Sequence, residues 1–221
     1  LIDRYTHRAE KQQPIKEICN IPIDPFQYHR RQTREVQNIG GQNVPRVMAD
    51  FSRVPDLQYA DLKAIGHLYS LLLDKFNMND LGADFIYTGT TPIPFMLPNG
   101  LKEVMDYETW QQSENQTEKY PLFQADFYKT VEKRHPQLNF VQATVHDLTP
   151  DLLALLRDDV TSVLLLETNN EHAMAELRKA IFRLMNQEVP VPVILKRSFE
   201  EMPEEQLQLY AATDMCGLLI D

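Results

Sequence analysis

The chain has 221 residues, 43% of them hydrophobic and 24% charged, with a net charge of −10, a composition typical of one globular domain. The acidic charge excludes a nucleic-acid surface and disfavours attraction to anionic lipid, because both require concentrated Lys and Arg. The two cysteines show neither a disulfide nor a metal-binding spacing, and no apolar run approaches the ~20 residues of a transmembrane helix, so we expect a protein of the reducing cytoplasm.

Residues 1–44 differ from the rest of the chain and predict a connecting arm. They begin with neither an initiator Met nor an apolar signal core, so we expect the chain to start inside a longer protein. They are rich in Gln, Arg and Lys, contain three prolines and have a pair of glycines near their end. This composition is typical of a linker that lies across another domain. A short helix is predicted over residues 1–11, and the folded domain over residues 45–221.

The folded domain alternates between predicted strands and predicted helices. Strands are predicted where short apolar runs lie between turn signals, over residues 44–51, 84–88, 121–125, 138–142, 161–166, 191–195 and 217–220. Helices are predicted from apolar residues at spacings of three and four, or from capping residues, over residues 62–73 and 127–134 and from residues 149, 169 and 203 onwards. Residues 90–119 contain proline breaks and predict only a short helix, with an exposed loop over residues 110–117.

Three helices have more specific predictions. Thr149 can cap free backbone N–H groups, and Pro150 is tolerated at the first helical position. Asn169 and Asn170 are predicted to cap the next helix. In the last helix, Leu207 and Tyr210 are predicted to point inward.

Strands that alternate with helices predict right-handed crossovers and a mainly parallel sheet. About seven strands are readable, close to the eight of a (β/α)₈ barrel. We therefore predict an α/β fold, a TIM-barrel-like and mainly parallel barrel, complete or incomplete, with an irregular N-terminal arm. An open doubly wound sheet is the alternative, disfavoured because no Gly-rich phosphate fingerprint follows the first strand.

In a parallel barrel, reactive groups lie at the carboxyl ends of the strands. The charged candidates there are Asp50, Glu167, Lys196 and Asp221, with Thr88 as a further polar residue. Carboxylates that face a lysine could support acid–base chemistry or hold a metal ion. The alternative interpretation, which we favour, is a polar rim where the strands meet water.

The other possible sites are weaker. The six histidines show no HExxH or paired spacing, and neither a nucleophile elbow nor a Walker loop is present. Arg30, Arg31 and Arg34 form the only basic cluster, which could bind a phosphate or an acidic partner. The alternative is an arm that pairs with its own acidic body. No catalytic, cofactor-binding or metal-binding residue is therefore assigned.

Three stretches of the chain resemble a known family. They are IDPFQYHRRQTREVQNIGG with NVPRVMAD, over residues 23–41 and 43–50; the strand at 163–167 with TNNEHAMAE after it; and VPVIL at 191–195, followed by YAAT at 210–213 and CGLLID at 216–221. Together they resemble the large-insert form of 4-hydroxy-3-methylbut-2-enyl diphosphate synthase, found in plants, apicomplexan parasites, Chlamydiae and Bacteroidetes. The resemblance follows the order of most of the chain and is poor over residues 90–119.

The resemblance implies that the chain is the central insert domain of a three-domain enzyme. Such enzymes open the ring of methylerythritol cyclodiphosphate reductively, in the non-mevalonate route to isoprenoids. A first barrel binds the diphosphate, a last domain holds a [4Fe–4S] cluster on cysteines and a Glu, and ferredoxin or flavodoxin supplies electrons. The cluster cysteines match no position of this chain, so no functional residue is transferred to it.

Three hypotheses follow. The first is a structural spacer that sets the distance between the substrate barrel and the iron–sulfur domain, whose catalytic residues lie outside this chain. The second is an independent TIM-barrel-type enzyme with an acid–base site at the strand ends. The third is a docking module in which the Arg30, Arg31 and Arg34 cluster contacts an acidic electron donor.

Overall fold

The computed structural model describes residues 15, 20–24, 26–199 and 202–219. The strands are β1 Glu35–Val36, β2 Ile39–Gly40, β3 Met48–Asp50, β4 His67–Ser70, β5 Lys75–Met78, β6 Phe85–Tyr87, β7 Lys102–Asp106, β8 Lys119–Gln124, β9 Asn139–Ala143, β10 Ser162–Glu167 and β11 Val193–Lys196. The α-helices are α1 Tyr107–Gln112, α2 Ala125–Tyr128, α3 Pro150–Asp158, α4 Ala173–Asn186 and α5 Glu204–Met215, and 3₁₀ turns occupy Asp61–Ile65 and Cys216–Leu219.

Seven strands form one sheet in the order β11-β10-β9-β8-β7-β6-β3, and the pairs β1–β2 and β4–β5 form two small antiparallel sheets. Neighbouring strands of the large sheet run parallel. Their order follows the chain without the reversal that defines a doubly wound sheet. Within the described residues, β11 and β3 are edge strands, so the ring is not closed. The α/β class and the incomplete TIM-barrel-like sheet are confirmed.

The chain divides into two compact units. The first combines the described part of the chain up to Asn43 with Gln124–Thr130 and Val141–Asp221, as far as that segment is described, and the second combines Val44–Phe123 with Val131–Phe140. The predicted boundary at residue 44 stays a prediction.

In the first unit, the described end of the arm, over residues 26–43, belongs to the packed structure. Its hairpin β1–β2 buries Val36 and Ile39, which are 2% and 4% exposed. Gly40 has a φ of +76°, and a Cβ there would lie 2.4 Å from the carbonyl oxygen of Arg34. Only glycine fits this turn, because it lacks the side chain that would collide with the arm.

Of the helix caps predicted in the first unit, one is present in the structure and the other is not. Thr149 Oγ1 accepts a hydrogen bond from the Leu152 N–H, and Pro150 is the first residue of α3, which confirms that prediction. The caps predicted for α4 are wrong, since its N-cap is His172 and has no side-chain cap bond. Asn170 instead accepts from the His172 N–H within the preceding loop.

The second unit contains the largest difference from the predicted elements. The helix predicted over residues 62–73 is wrong, because the 3₁₀ turn ends at Gly66, whose φ of +83° is left-handed. The chain then forms the hairpin β4–β5, with Asp74 at a φ of +47° in its turn. The leucines at helical spacing were misleading, since Leu62 is buried whereas Leu72 is 93% exposed.

Other corrections follow from burial. Trp110 is predicted to lie in an exposed loop, but it lies in α1 and is 2% exposed. Its indole N–H donates to the carbonyls of Gln116 and Lys119. The helix predicted over residues 127–134 is wrong in extent, because the structure has only the one turn of α2 there. Leu207 is 41% exposed rather than inward. The last predicted strand is wrong, because the 3₁₀ turn Cys216–Leu219 occupies it. The helix predicted over residues 1–11 lies outside the described residues.

Candidate functional site at the strand ends

The carboxyl ends of β10 and β11 bring two of the predicted charged residues together. Glu167 and Lys196 are register partners at the last positions of the two parallel strands. Lys196 Nζ lies 3.9 Å from Glu167 Oε2, and Gln142 at the end of β9 donates to Glu167 Oε1 over 2.8 Å. The two charged side chains are 21% and 31% exposed. Together with Gln142, they form a half-buried row of paired side chains across three strand ends.

A buried ion pair lies directly beyond this row. Arg197 Nε donates to Asp214 Oδ2 over 3.0 Å, and the two side chains are only 7% and 2% exposed. Arg197 Nη1 also donates to the backbone carbonyl of Thr168, and the guanidinium group lies over the ring of Phe199, 5.2 Å from its centroid. Because Asp214 belongs to α5, these bonds attach that helix to the end of β11.

The loop between β10 and α4 is held by its own polar groups. Thr168 Oγ1 donates to the carboxylate of Glu176 and accepts from the Asn170 N–H. Asn170 Nδ2 lies 3.4 Å from the other oxygen of the same carboxylate. Thr168 and Asn170 are buried, so their hydrogen bonds satisfy groups that would otherwise be costly to desolvate.

Arg34 of the predicted basic cluster caps helix α3 at its carboxyl end. Its guanidinium donates to the backbone carbonyls of Leu156, Arg157 and Asp159 over 2.6–2.8 Å. These carbonyls have no partner within a helix, and the dipole of the helix favours a positive charge there. Burial lowers the pKa of Arg34, while nearby Asp159 opposes that shift. Arg34 therefore binds carbonyls that lie 122 to 125 positions away along the chain.

The other two arginines of the cluster also donate to backbone carbonyls. Arg31 Nη2 donates to Val189 over 2.7 Å and to Val191 over 3.0 Å, and burial lowers its pKa to about 10. Arg30 is exposed and donates to the carbonyl of Asn43 over 2.9 Å. Contact of this cluster with a phosphate or an acidic partner stays a prediction. The geometry gives Arg31 and Arg34 a structural role, which is to fasten the arm.

An open groove lies beside this arm, with a volume of about 460 Å³. Its apolar lining includes Ile23, Leu184 and Val189, and its polar lining includes His29 and Arg30. The carboxylates of Asp24 and Glu188 also line the groove, so its charge is mixed and does not favour an anion.

The remaining predicted residues belong elsewhere. Asp50, at the end of β3 in the second unit, accepts from the backbone N–H and the hydroxyl of Ser52 through one oxygen. Thr88 is buried, and its hydroxyl lies 3.3 Å from Glu103 Oε1. Asp221 lies outside the described residues. The structure therefore brings together Glu167 and Lys196, and it gives Asp50 a local turn contact.

The most buried charged residues were not predicted from the sequence. Glu103 is 4% exposed and pairs with Lys119 on the next strand over 3.0 Å. Asp214 and Arg197 were also missed, since an Asp in a helix that already contains Glu204 and Glu205 resembles another solvated residue. The available signal was position, because Arg197 directly follows a strand whose end was already predicted to be polar.

The chain is similar in sequence to several known proteins. It is 30% identical to a 4-hydroxy-3-methylbut-2-en-1-yl diphosphate synthase (flavodoxin) of Parabacteroides distasonis, over all 221 residues and 32% of that protein. It is 26% identical over 195 residues to the synthase of the same name from Phocaeicola vulgatus, and 25% identical over 193 residues to that of Bacteroides thetaiotaomicron, in each case 87% of this chain and 28% of the relative.

The chain is homologous to part of this synthase. It spans about a third of the length of the curated relatives it matches. The match confirms the resemblance that the three stretches of sequence indicate. No known family profile matches the chain. No solved structure matches it either.

Three further observations concern the described residues. Among the chain's described residues, no group of three or more His, Cys, Asp or Glu side chains is placed to hold a metal ion. Cys216 is exposed and unpaired by any disulfide, and Cys19 lies outside the described residues. None of the helices in the described ranges is long and apolar enough to cross a membrane.

Proposed function

We propose that this chain is a structural spacer domain of a 4-hydroxy-3-methylbut-2-en-1-yl diphosphate synthase, and that the catalytic residues of the enzyme lie outside it. The observation that supports this proposal is the extent of the match. All 221 residues align with the Parabacteroides distasonis synthase, yet they account for only 32% of its length. A segment of this size adds a folded body to a longer enzyme.

The contacts at the strand ends support the same proposal. In a barrel enzyme, the strand ends present polar groups to a substrate. Here Glu167 is occupied by Lys196 and Gln142, and the pair of Arg197 with Asp214 attaches a helix. These groups bind one another, as in a structural rim.

The parent reaction and its partners follow from the proposed membership. The relatives are named for flavodoxin, and we propose flavodoxin or ferredoxin as the electron donor of the parent. The reductive ring opening of methylerythritol cyclodiphosphate then takes place between a flanking substrate barrel and a flanking domain that holds a [4Fe–4S] cluster, in the cytoplasm. The spacer sets the distance between those domains, because reacting groups must meet in a fixed geometry.

Deleting residues 45–221 from the parent enzyme tests this proposal. We expect turnover to be abolished, because the flanking domains lose their spacing, whereas substrate binding by the flanking barrel persists. Turnover with a chemical reductant and substrate affinity by calorimetry are the two measurements. The matched control is Lys129→Ala, which removes an ion pair with the exposed Asp126 and should change neither. Turnover that survives the deletion would contradict the spacer function.

The contact of Glu167 with Lys196 favours one second candidate, an acid–base enzyme at the strand ends. Glu167→Gln and Lys196→Met in the parent separate it from the spacer. A rim tolerates both changes, and turnover stays within about twofold, since partly exposed pairs contribute little. A loss of two or more orders of magnitude in folded protein, as removal of a general acid or base produces, would favour the enzyme.

A further inference from the structure

The tip of hairpin β4–β5 presents three consecutive leucines to solvent. Leu71 is 88% exposed, Leu72 is 93% exposed and Leu73 is 59% exposed. Single exposed apolar residues are common on protein surfaces, but a contiguous apolar tip marks an interaction site. We refer to Leu71, Leu72 and Leu73 as the leucine tip.

The strands of this hairpin are firmly packed next to the turn. Tyr69 and Phe76 are register partners with ring centroids 5.0 Å apart. Tyr59 stacks on Tyr69 at 4.8 Å and contacts Phe95 at 4.1 Å. At the opposite strand end, the buried His67 ring bonds to the carbonyl of Ala83. These contacts fix the direction in which the hairpin projects.

The turn itself has a defined shape. The Tyr69 hydroxyl donates to the carboxylate of Asp74, and the Leu73 N–H donates to the carbonyl of Ser70 over 3.3 Å. A turn that is already ordered loses little conformational freedom when it binds. The leucine tip therefore has two properties of a docking element, an apolar surface and a preformed backbone.

We propose that the leucine tip docks into an apolar pocket on another domain of the same synthase polypeptide. This inference rests on the proposed function, in that it requires the chain to be part of a longer enzyme. It goes beyond that function because it names the surface through which the spacer holds a neighbour in place. A spacer with only flexible connections could not fix a geometry between domains.

The length of the relatives favours one occupant. The chain covers 32% of the Parabacteroides distasonis synthase, so about two thirds of such a polypeptide lies elsewhere. Domains on one polypeptide are held at high effective concentration, which favours contact between them over contact between molecules. An anionic lipid surface is a poorer occupant, because the chain has a net charge of −10 and such membranes attract basic segments.

Site-specific photocrosslinking in the full-length enzyme tests the proposal. A benzoylphenylalanine replaces Leu72, and a matched variant carries it at Val160, which is 70% exposed in a turn of the first unit. After irradiation and proteolysis, mass spectrometry identifies the joined peptides. We expect the Leu72 probe to join peptides from outside these 221 residues of the same polypeptide, in several-fold higher yield than the Val160 probe.

Each other result overturns the proposal. Crosslinked dimers that disappear on dilution would identify a second copy as the occupant, and transfer to added phosphatidylglycerol vesicles would identify a membrane. Equal, low yields from both probes would show that the tip stays in water. The proposed spacer function is tested by a different experiment, the deletion of residues 45–221. If the deletion leaves turnover intact while the Leu72 probe still crosslinks to a flanking domain, the docking proposal stands and the spacer function does not. If deletion abolishes turnover and Leu72 finds no neighbour, only the docking fails.

Discussion

The strand ends of the first unit and the hairpin of the second unit place their side chains in opposite ways. At the ends of β10 and β11, charged groups are turned toward each other, and Arg197 and Asp214 are almost fully buried. At the hairpin tip, leucines are turned toward water, and Leu72 is 93% exposed. The first region satisfies its polar groups internally, whereas the second leaves its apolar groups without a cover.

This difference shows that residue type alone does not distinguish function from structure. Charged residues at the end of a barrel strand suggest chemistry, but here they attach a helix and a loop. Leucines at helical spacing suggest a core, but here Leu72 and Leu73 of that pattern lie on an exposed surface. The assignment depends on which groups are satisfied within the fold, since buried polar groups need partners and exposed apolar groups gain from being covered.

The largest effect is expected at the buried ion pair of Arg197 and Asp214. Replacing Asp214 by Ala leaves the Arg197 guanidinium buried without its counter-charge, which costs about 3–5 kcal/mol in the free energy of unfolding. Urea titration followed by circular dichroism measures the change. The double variant Arg197→Met with Asp214→Leu should recover much of the loss, because it removes both charges. A loss below about 1 kcal/mol in the single variant, the range of exposed pairs, would mean that this pair is not buried.

A smaller effect is expected at the helix cap. Arg34→Met removes a charged donor from three carbonyls at the end of α3 and should lower the free energy of unfolding by about 2 kcal/mol. The matched control is Arg30→Met, which removes one exposed hydrogen bond and should cost less than about 1 kcal/mol. Equal losses from the two variants would indicate that Arg34 is solvated, as expected for a partner-binding arginine.

These contacts show which parts of the fold the sequence could predict. Continuous apolar runs identified β10 and β6, because a buried parallel strand is apolar on both faces. The strand β7 was missed, since Lys102 and Glu103 interrupt its apolar pattern. The cap formed by Arg34 joins residues more than 120 positions apart, and no local pattern encodes such a contact.

The effect of pH on the free energy of unfolding should be smaller than the effect of Arg34→Met. His135 is 2% exposed and burial lowers its pKa, which the carbonyl of Thr117 offsets only in part. The unfolded chain therefore binds a proton more readily than the folded chain, so stability is lost as the pH falls below the unfolded value of about 6.5 and down to the lowered folded pKa. The slope stays below the ~1.4 kcal/mol per pH unit of one full proton.

Chemical unfolding at a series of pH values measures this slope. His135→Gln keeps an acceptor for the backbone N–H groups of Gln137 and Leu138, which His135 Nδ1 now accepts, and should flatten the curve. His146→Gln, at an exposed histidine, is the control and should leave it unchanged. If the His135 variant kept the full slope, another group would be responsible.

The smallest effect should come from the leucine tip, and it separates the two regions most sharply. Leu72→Ser should change the free energy of unfolding of this chain by less than about 0.5 kcal/mol, because a side chain that is already in water has little burial to lose. Leu62→Ala is the matched control, taken from the same apolar spacing but fully buried, and should cost about 2–5 kcal/mol. Thermal or urea unfolding measures both. Comparable losses at the two positions would place Leu72 in a core and restore the helix that the spacing predicts, whereas a large loss at Leu62 alone would leave the tip free to bind a neighbouring domain.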